Sequence, residues 1–203
     1  MQDRAPAREQ ANRIQSSTAR ATPSQVQKGA AGGTMSDNGV FAARLPKDDR
    51  TLRLLSDLFV QKHIFPVLDK RVKTFVGAHR LFKNIESGYV RVYGAFFQDK
   101  VMGVCFGHLE PGTQDFCTHL AFLRHTKALA GCAACADVMV KEYREQGIII
   151  KNIVGYIPDY NRAALRLARL YGCEDCGIDE TKTIIEDCYE VPCRVMKINV
   201  EVK

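Results

Sequence analysis

Apolar runs divide the chain into short segments of two kinds, those that alternate or run continuously and those that recur every three to four residues. Phe41 to Leu45 is a short candidate strand. Asp48 and Asp49 open a helical pattern reaching about Lys62, and Pro66 opens a second, with Val67, Leu68, Val72, Phe75 and Val76 as its apolar stripe. Tyr89 to Phe97 is rich in β-formers; Gln98-Asp99-Lys100 is a hairpin-sized turn, and Val101 to Leu109 is the next strand. Pro111-Gly112 marks another turn before a third strand, Thr113 to Leu123. A helix from about Ala128 to Gln146 is closed by Gly147, a strand covers residues 148–156, and two β-like runs follow near 182–190 and 193–202. The order is β-α-α-β-β-β-α-β-α-β-β. Three hairpin strands followed by two strand–helix crossovers imply an α/β fold, a central mixed sheet with helices on both faces.

The stretch VGYIPDYNRAALRLARLYGCEDCG, residues 154–177, is the most informative local pattern. The apolar run beginning at Ile148 ends at Ile153-Val154, Pro158 is expected to break the ladder, and Asp159 favours a turn. Asn161 is placed to cap a helix by accepting a first-turn N–H. Ala164, Leu165, Ala168 and Tyr171 form one face of that helix, while Arg162, Arg166 and Arg169 form another. Gly172 suits the left-handed C-terminal cap. On spacing alone this is a helix packed on a core with a solvated arginine stripe.

Composition adds a boundary. Residues 1–38 lack aromatic residues and have Ile14 and Val26 as their only large aliphatics, too little apolar surface to offset ordering, so a disordered tail precedes a domain over 39–203. Met35 is a candidate alternative start that would make the tail an upstream extension. The tail carries five cationic and three acidic residues, and the chain as a whole is +6, a mild excess that does not indicate nucleic acid. Acidic residues and the lack of an amphipathic face argue against a transit peptide, and neither a membrane-length apolar run nor a signal-peptide core is present. Eight cysteines, with no secretory signal, are expected to be reduced and mostly to serve as small core residues. The pairs Cys132-x-x-Cys135 and Cys173-x-x-Cys176 have zinc-ligand spacing, yet Cys132, Cys135 and Met139 share one apolar helical face, so core packing accounts for them and no metal is expected.

The element order, the segment LAFLRHTKALAGCAACADVMVKEYREQG and the motif NRAALRLARLYG resemble the GNAT acyltransferase superfamily over roughly residues 40–203. Within it, GYIPDYNRAALRLARLYGC looks most like acetyltransferase-like proteins of tailed phages, some of them virion-associated. The resemblance implies an acyl-CoA-binding domain with acetyl-CoA as donor and an amine as acceptor, in the cytoplasm of a host cell or in a virion alongside phage head proteins. In the family a Q/R-x-x-G-x-G/A turn opens a helix whose N–H groups and dipole hold the pyrophosphate, small residues permitting close approach. Here that turn falls on Lys127, Ala130 and Cys132, with Ala128 and Gly131 beside them; all three motif positions depart from the common residues, and Gly131 is one position out of register. The strand before the helix, Leu120 to Phe122, is implied to pair with pantetheine, and Asn161 to lie near the pantetheine arm.

Amine acylation needs a base for the ammonium and an acid for the departing thiolate. Many GNAT enzymes place a Tyr seven residues after the helix Asn; that position is Ala168 here, and Tyr171 lies one turn further on. Glu110, Asp115, His108 and His119 are candidate bases, Glu110 and His119 foremost. Tyr156 and Tyr160 are placed to approach the thioester from the strand-to-helix turn. Each also has an ordinary role open to it: a solvated turn carboxylate for Glu110, a hydrogen-bonded sheet histidine for His119, packing for the tyrosines. The missing Tyr and the altered turn leave a second reading open, a GNAT-fold binding or structural protein without catalysis. The variable loops around 63–88 and 181–193 would set the acceptor.

Overall fold

The computed structural model describes residues 31–35, 39–60, 75–123, 126–186 and 189–200. Among them the order is β1 (Ala31–Met35), β2 (Val40–Arg44), α1 (Asp49–Phe59), α2 (Phe75–Ser87), β3 (Arg91–Phe97), β4 (Lys100–Leu109), β5 (Asp115–Phe122), α3 (Ala128–Glu145), β6 (Asn152–Pro158), α4 (Arg162–Tyr171), β7 (Glu174–Glu186) and β8 (Tyr189–Asn199). The strands form one sheet in the order β1-β2-β3-β4-β5-β6-β8-β7. Only β5 and β6 run parallel, joined by the α3 crossover; the other neighbours are antiparallel. This is the expected mixed sheet.

Two apolar layers cover it. On one face α3 presents Cys132, Ala134, Cys135, Val138, Met139 and Tyr143 to Val40, Ala42, Tyr93, Ala95, Met102, Cys105 and Phe116. Small helix residues let the axis lie close to the strands. Beside this layer Glu142 accepts hydrogen bonds from Arg91 Nη1 at 3.1 Å and Tyr93 Oη at 2.9 Å and is ion-paired with Arg44, fixing the helix against β2 and β3. On the other face Leu55, Leu58 and Phe59 of α1, with Ile85 of α2, meet Val92, Phe96, Val104, Phe106 and Ala121. Asp48 caps α1 by accepting from the N–H groups of Arg50 and Thr51, each at 3.1 Å.

Several boundaries differ from the sequence reading. The stretch assigned to the tail contributes β1, which pairs with β2 through Ala31–Arg44, Thr34–Ala42 and Met35–Phe41. Edge pairing uses backbone hydrogen bonds, so a lack of large side chains did not reveal it. Residues 1–30 lie outside the described residues, as do Pro66, Val67, Leu68 and Val72 of the second helical stripe. The strand expected from Ile148 begins at Asn152 instead. Gly147 (φ +73°) ends α3 with its N–H on Arg144 O, and Ile148 to Ile150 form the connector into the sheet. Pro158 does not interrupt the β6–β8 ladder but ends it, opposite Cys193. β7 begins at Glu174, eight residues earlier than expected, and carries register shifts between Asp175 and Ile178 and between Asp179 and Thr183. The hairpin after β3 is a two-residue turn with Gln98 at φ +48° and Asp99 at φ +60°, so Lys100 already belongs to β4.

The cysteines fall where the apolar runs placed them. Cys105, Cys117, Cys132, Cys135 and Cys193 are buried, Cys173 is half-buried and Cys176 is exposed; Cys188 lies outside the described residues. Burial pushes the Cys105 and Cys117 thiols up to about 11. Native thiol labelling followed by mass spectrometry should therefore modify Cys176 fastest and the five buried cysteines slowly. Rapid labelling of Cys105 or Cys135 would contradict this packing.

Candidate active site

The site begins where a ladder stops. β5 and β6 pair from Asp115–Asn152 to Thr118–Gly155 and no further. Beyond that rung β5 continues to Phe122 with β4 as its ladder neighbour, while β6 continues to Pro158 with β8. Gly155, on the last shared rung, has open space where a side chain would stand. Leu120, two residues past the end, is 47% exposed.

β5 leads into the N-terminus of α3. Lys127, the cap residue, makes no side-chain capping hydrogen bond. Gly131 N–H already bonds Lys127 O at 2.9 Å, so the first-turn donors that precede the helical ladder are those of Ala128, Leu129 and Ala130. An open groove of about 540 Å³ lies against this end, lined by Thr126, Lys127, Leu129, Ala130, Ala133, Leu170 and Tyr171. Lys127 Nζ also stands 5.4 Å from the centre of the Phe97 ring. First-turn donors without a side-chain cap from Lys127, a lysine and small side chains beside an apolar wall are a donor set suited to a pyrophosphate with an organic arm.

The expected cofactor residues separate into two groups. Lys127 and Ala130 line the groove, and Ala128 is half-buried in the same first turn. Gly131 and Cys132 are buried against the sheet. A Cβ on Gly131 would stand 2.8 Å from Phe122 Cε1 and 3.2 Å from Ala95 Cβ, so this glycine is required by helix–sheet packing rather than by approach to phosphate. Leu120 shares a rung with Cys105 and so belongs to the α3 face. Phe122 packs against that same core. Asn161 accepts from Ala164 N–H at 3.2 Å, the expected cap, and Gly172 closes α4 at φ +93°. The arginine stripe is partly paired: Arg169 with Asp175 at 2.9 Å and Arg162 with Asp159 at 3.8 Å. Of the residues that line the groove, Thr126 belongs to the strand-to-helix junction and Ala133 to the run of small residues that mark the helix start in the sequence, whereas Leu129 and Leu170 were not singled out. Leu129 and Ala133, one turn apart on α3, were the legible signal.

The opposite sheet face carries the groups for proton handling. His108 and Cys117 are rung partners on β4 and β5. Cys117 Sγ donates to Glu110 Oε2 at 3.1 Å and lies 3.8 Å from Tyr156 Oη. His108 Nε2 is 3.7 Å from the same carboxylate oxygen, and Lys182 Nζ is 3.4 Å from the other. Lys182 also stands 5.1 Å from the centre of the Tyr156 ring. Hydrogen bonding from Cys117, with Lys182 beside it, holds the Glu110 carboxyl below the usual range, so it is ionised near neutrality. Burial lowers His108, and the stack of its ring on Tyr89, 4.8 Å between centres, fixes its plane. Burial, then the Cys117 contact, raises Tyr156, which therefore keeps its proton.

Glu110 and Tyr156 are thus brought together through Cys117, which had been assigned only to the core, and Lys182 joins them from β7. His119 lies two residues beyond Cys117 on the same face, exposed and stacked on Phe106 at 5.3 Å. Asp115 instead ties Asn152 at 2.6 Å and Lys197 at 3.2 Å. Tyr160, 46% exposed, stands in the turn before α4. Tyr171 lies in the groove on the helix side.

No family model matches the chain, and no curated protein matches it. Solved structures do. An acetyltransferase from Salmonella typhimurium that modifies the N-terminal serine of a 50S ribosomal subunit protein superposes with a TM-score of 0.60 at 13% identity, covering 81% of this chain and 96% of that one. The microcin C7 self-immunity acetyltransferase MccE, in complex with acetyl-CoA and AMP, gives 0.60 at 13% identity over 78% and 92%. Spermidine N-acetyltransferase SpeG from Vibrio cholerae gives 0.57 at 13% over 80% and 95%. The strand order, the interrupted β5–β6 ladder and these superpositions together establish that the chain has the fold of the GNAT acetyltransferases.

Proposed function

We propose that the chain is an acetyl-CoA-dependent N-acetyltransferase acting on an amine, with the donor in the α3 groove. The observation that carries this is the combination of three features: a β5–β6 ladder that stops at Thr118 and Gly155, an α3 N-terminus without a side-chain cap, and a groove against that helix end. Acetyl-CoA, when bound, supplies an activated acetyl group as a thioester. Lys127 and the first-turn N–H groups of Ala128, Leu129 and Ala130 would hold its pyrophosphate, and the exposed edge at Leu120 its pantetheine arm. On the other face Glu110 offers a carboxylate to an incoming ammonium and takes its proton, directly or through neutral His108. Tyr156 holds a proton for the departing thiolate, the role that Ala168 cannot fill. His119 is a further proton acceptor at the open end of the strand. The protein would work in the cytoplasm of its cell. No described helix is long and apolar enough to cross a membrane.

The assay is release of CoA thiol from acetyl-CoA across a panel of primary amines, N-terminal peptides and polyamines. Amine-dependent release supports the reading, and release equal to the no-amine control for every acceptor, despite saturation with acetyl-CoA, contradicts it. A pH–rate profile gives a second check. Because burial, the largest influence, lowers His108, acetylation should hold level from neutral pH upward and fall only below the ordinary histidine range, where His108 gains a proton and pairs with Glu110. A fall that begins above neutral pH would assign the controlling group elsewhere.

Ala168 favours a second reading, a GNAT-fold protein that binds without catalysing, such as a component associated with phage head proteins in a virion. Binding of acetyl-CoA without turnover of any amine would select it.

A further inference from the structure

We propose that His108, Glu110 and Cys117 form a binding site for a thiophilic divalent cation of the zinc type. Among the described residues they are the group that brings three ligand atoms of different residues together, all within 4.8 Å of one another. The two Cys-x-x-Cys pairs do not: Cys132 and Cys135 are sunk in the α3 core, and Cys176 is exposed on β7. Metal bonds of about 2.0–2.3 Å at tetrahedral angles place neighbouring donors about 3.3–3.7 Å apart. Two of the three separations are 3.1 Å from Cys117 Sγ to Glu110 Oε2 and 3.7 Å from His108 Nε2 to that oxygen, and the third is within 4.8 Å, so side-chain adjustment of about 1 Å or less brings the donors to these distances.

The donor set has the chemistry of zinc rather than of magnesium or calcium: one thiolate, one imidazole and one carboxylate. Three protein ligands would leave a fourth position for water, and Tyr156 Oη lies 3.8 Å from the sulfur. His108 on β4 and Cys117 on β5 share one rung and Glu110 directly follows the end of β4, so the backbone holds them in place. Lys182 contacts the other carboxylate oxygen, Oε1, which leaves Oε2 to the metal. Cys117 is 3% exposed, but His108 and Glu110 have side chains 24% and 33% exposed, and these open the way in from solvent. On binding, the Sγ–metal bond replaces the S–H bond, and the proton leaves to solvent. A metal that holds Glu110 takes that carboxylate from the ammonium, so occupancy and acetylation would exclude each other. That exclusion rests on the acetyltransferase reading; the metal site does not, and its test needs no acetyl-CoA.

Cobalt(II) is the probe, titrated into the reduced, metal-free full chain. The expected result is one equivalent bound, with visible bands of tetrahedral cobalt and a near-ultraviolet thiolate-to-cobalt band, all displaced by zinc. Cys117→Ser should abolish the near-ultraviolet band, and His108→Ala or Glu110→Gln should weaken binding at least tenfold. His108 and Glu110 are part-exposed, so these two variants keep the test decisive should Cys117→Ser fail to fold. A parent without a thiolate band overturns the proposal. So does a band that survives Cys117→Ser but disappears in the Cys173→Ser/Cys176→Ser double variant.

Discussion

Gly131→Glu is expected to unfold the domain, whereas Ala130→Glu, one residue earlier, is expected to fold and to lose acetyl-CoA. Gly131 is buried on the sheet-facing side of α3, and even a methyl group there would stand 2.8 Å from Phe122 Cε1. Overpacking of this kind costs about 1–3 kcal/mol, and an unpaired carboxylate forced into the same space adds several more. That approaches the whole stability of an ordinary domain, about 5–15 kcal/mol. Ala130 is half-buried and lines the groove, so a longer side chain has room to turn outward. A carboxylate in the first turn is favourable to the helix itself. Against a bound pyrophosphate it is repulsive. Loss of one charge-assisted contact, about 1.5–3 kcal/mol, corresponds to a roughly 10- to 150-fold weaker Kd. Thermal melting and acetyl-CoA titration of both variants check this. Parent-like melting of Gly131→Glu would mean that α3 does not sit on β3 and β4 as described, and parent-like affinity of Ala130→Glu would place the donor elsewhere.

The second large effect is on turnover. Glu110→Gln keeps the shape and removes the charge that Cys117, Lys182 and His108 surround. General acid–base groups contribute about 10²- to 10⁴-fold, so kcat should fall by at least about 100-fold while acetyl-CoA affinity stays within about twofold. Tyr156→Phe removes the hydroxyl at the other end of the same chain of contacts and should lower kcat similarly. Because both act through Cys117, their combination should cost less than the product of the separate losses. Unchanged kcat in Glu110→Gln would remove this cluster from the reaction and leave His119, on the exposed stretch of β5, as the base to test.

How far the sequence revealed this can be followed residue by residue. Periodicity located α3 closely, because Cys132, Cys135 and Met139 must share one face for the helix to bury anything, and they do. The α4 caps were legible because Asn161 and Gly172 act through local backbone geometry. β1 was not legible, since an edge strand of small residues is held by main-chain pairing with β2. The connector Ile148–Ile150 was misassigned because an apolar run reports burial, not extension, and Ile150 is indeed 4% exposed. In the site, Lys127 and Ala130 followed from the family turn. The facing of Gly131 did not, because helical phase relative to the sheet is a tertiary property. Cys117 and Lys182 were missed for a similar reason: they reach Glu110 across strand pairing, from seven and seventy-two residues away in the chain.

The central claim is that the α3 groove holds acetyl-CoA, and calorimetric titration of acetyl-CoA into the full chain tests it most directly, with Ala130→Glu as the paired sample. The account predicts one site per chain in the parent and a roughly 10- to 150-fold weaker Kd in the variant, with melting unchanged. No heat of binding at millimolar acetyl-CoA in a folded parent would contradict it.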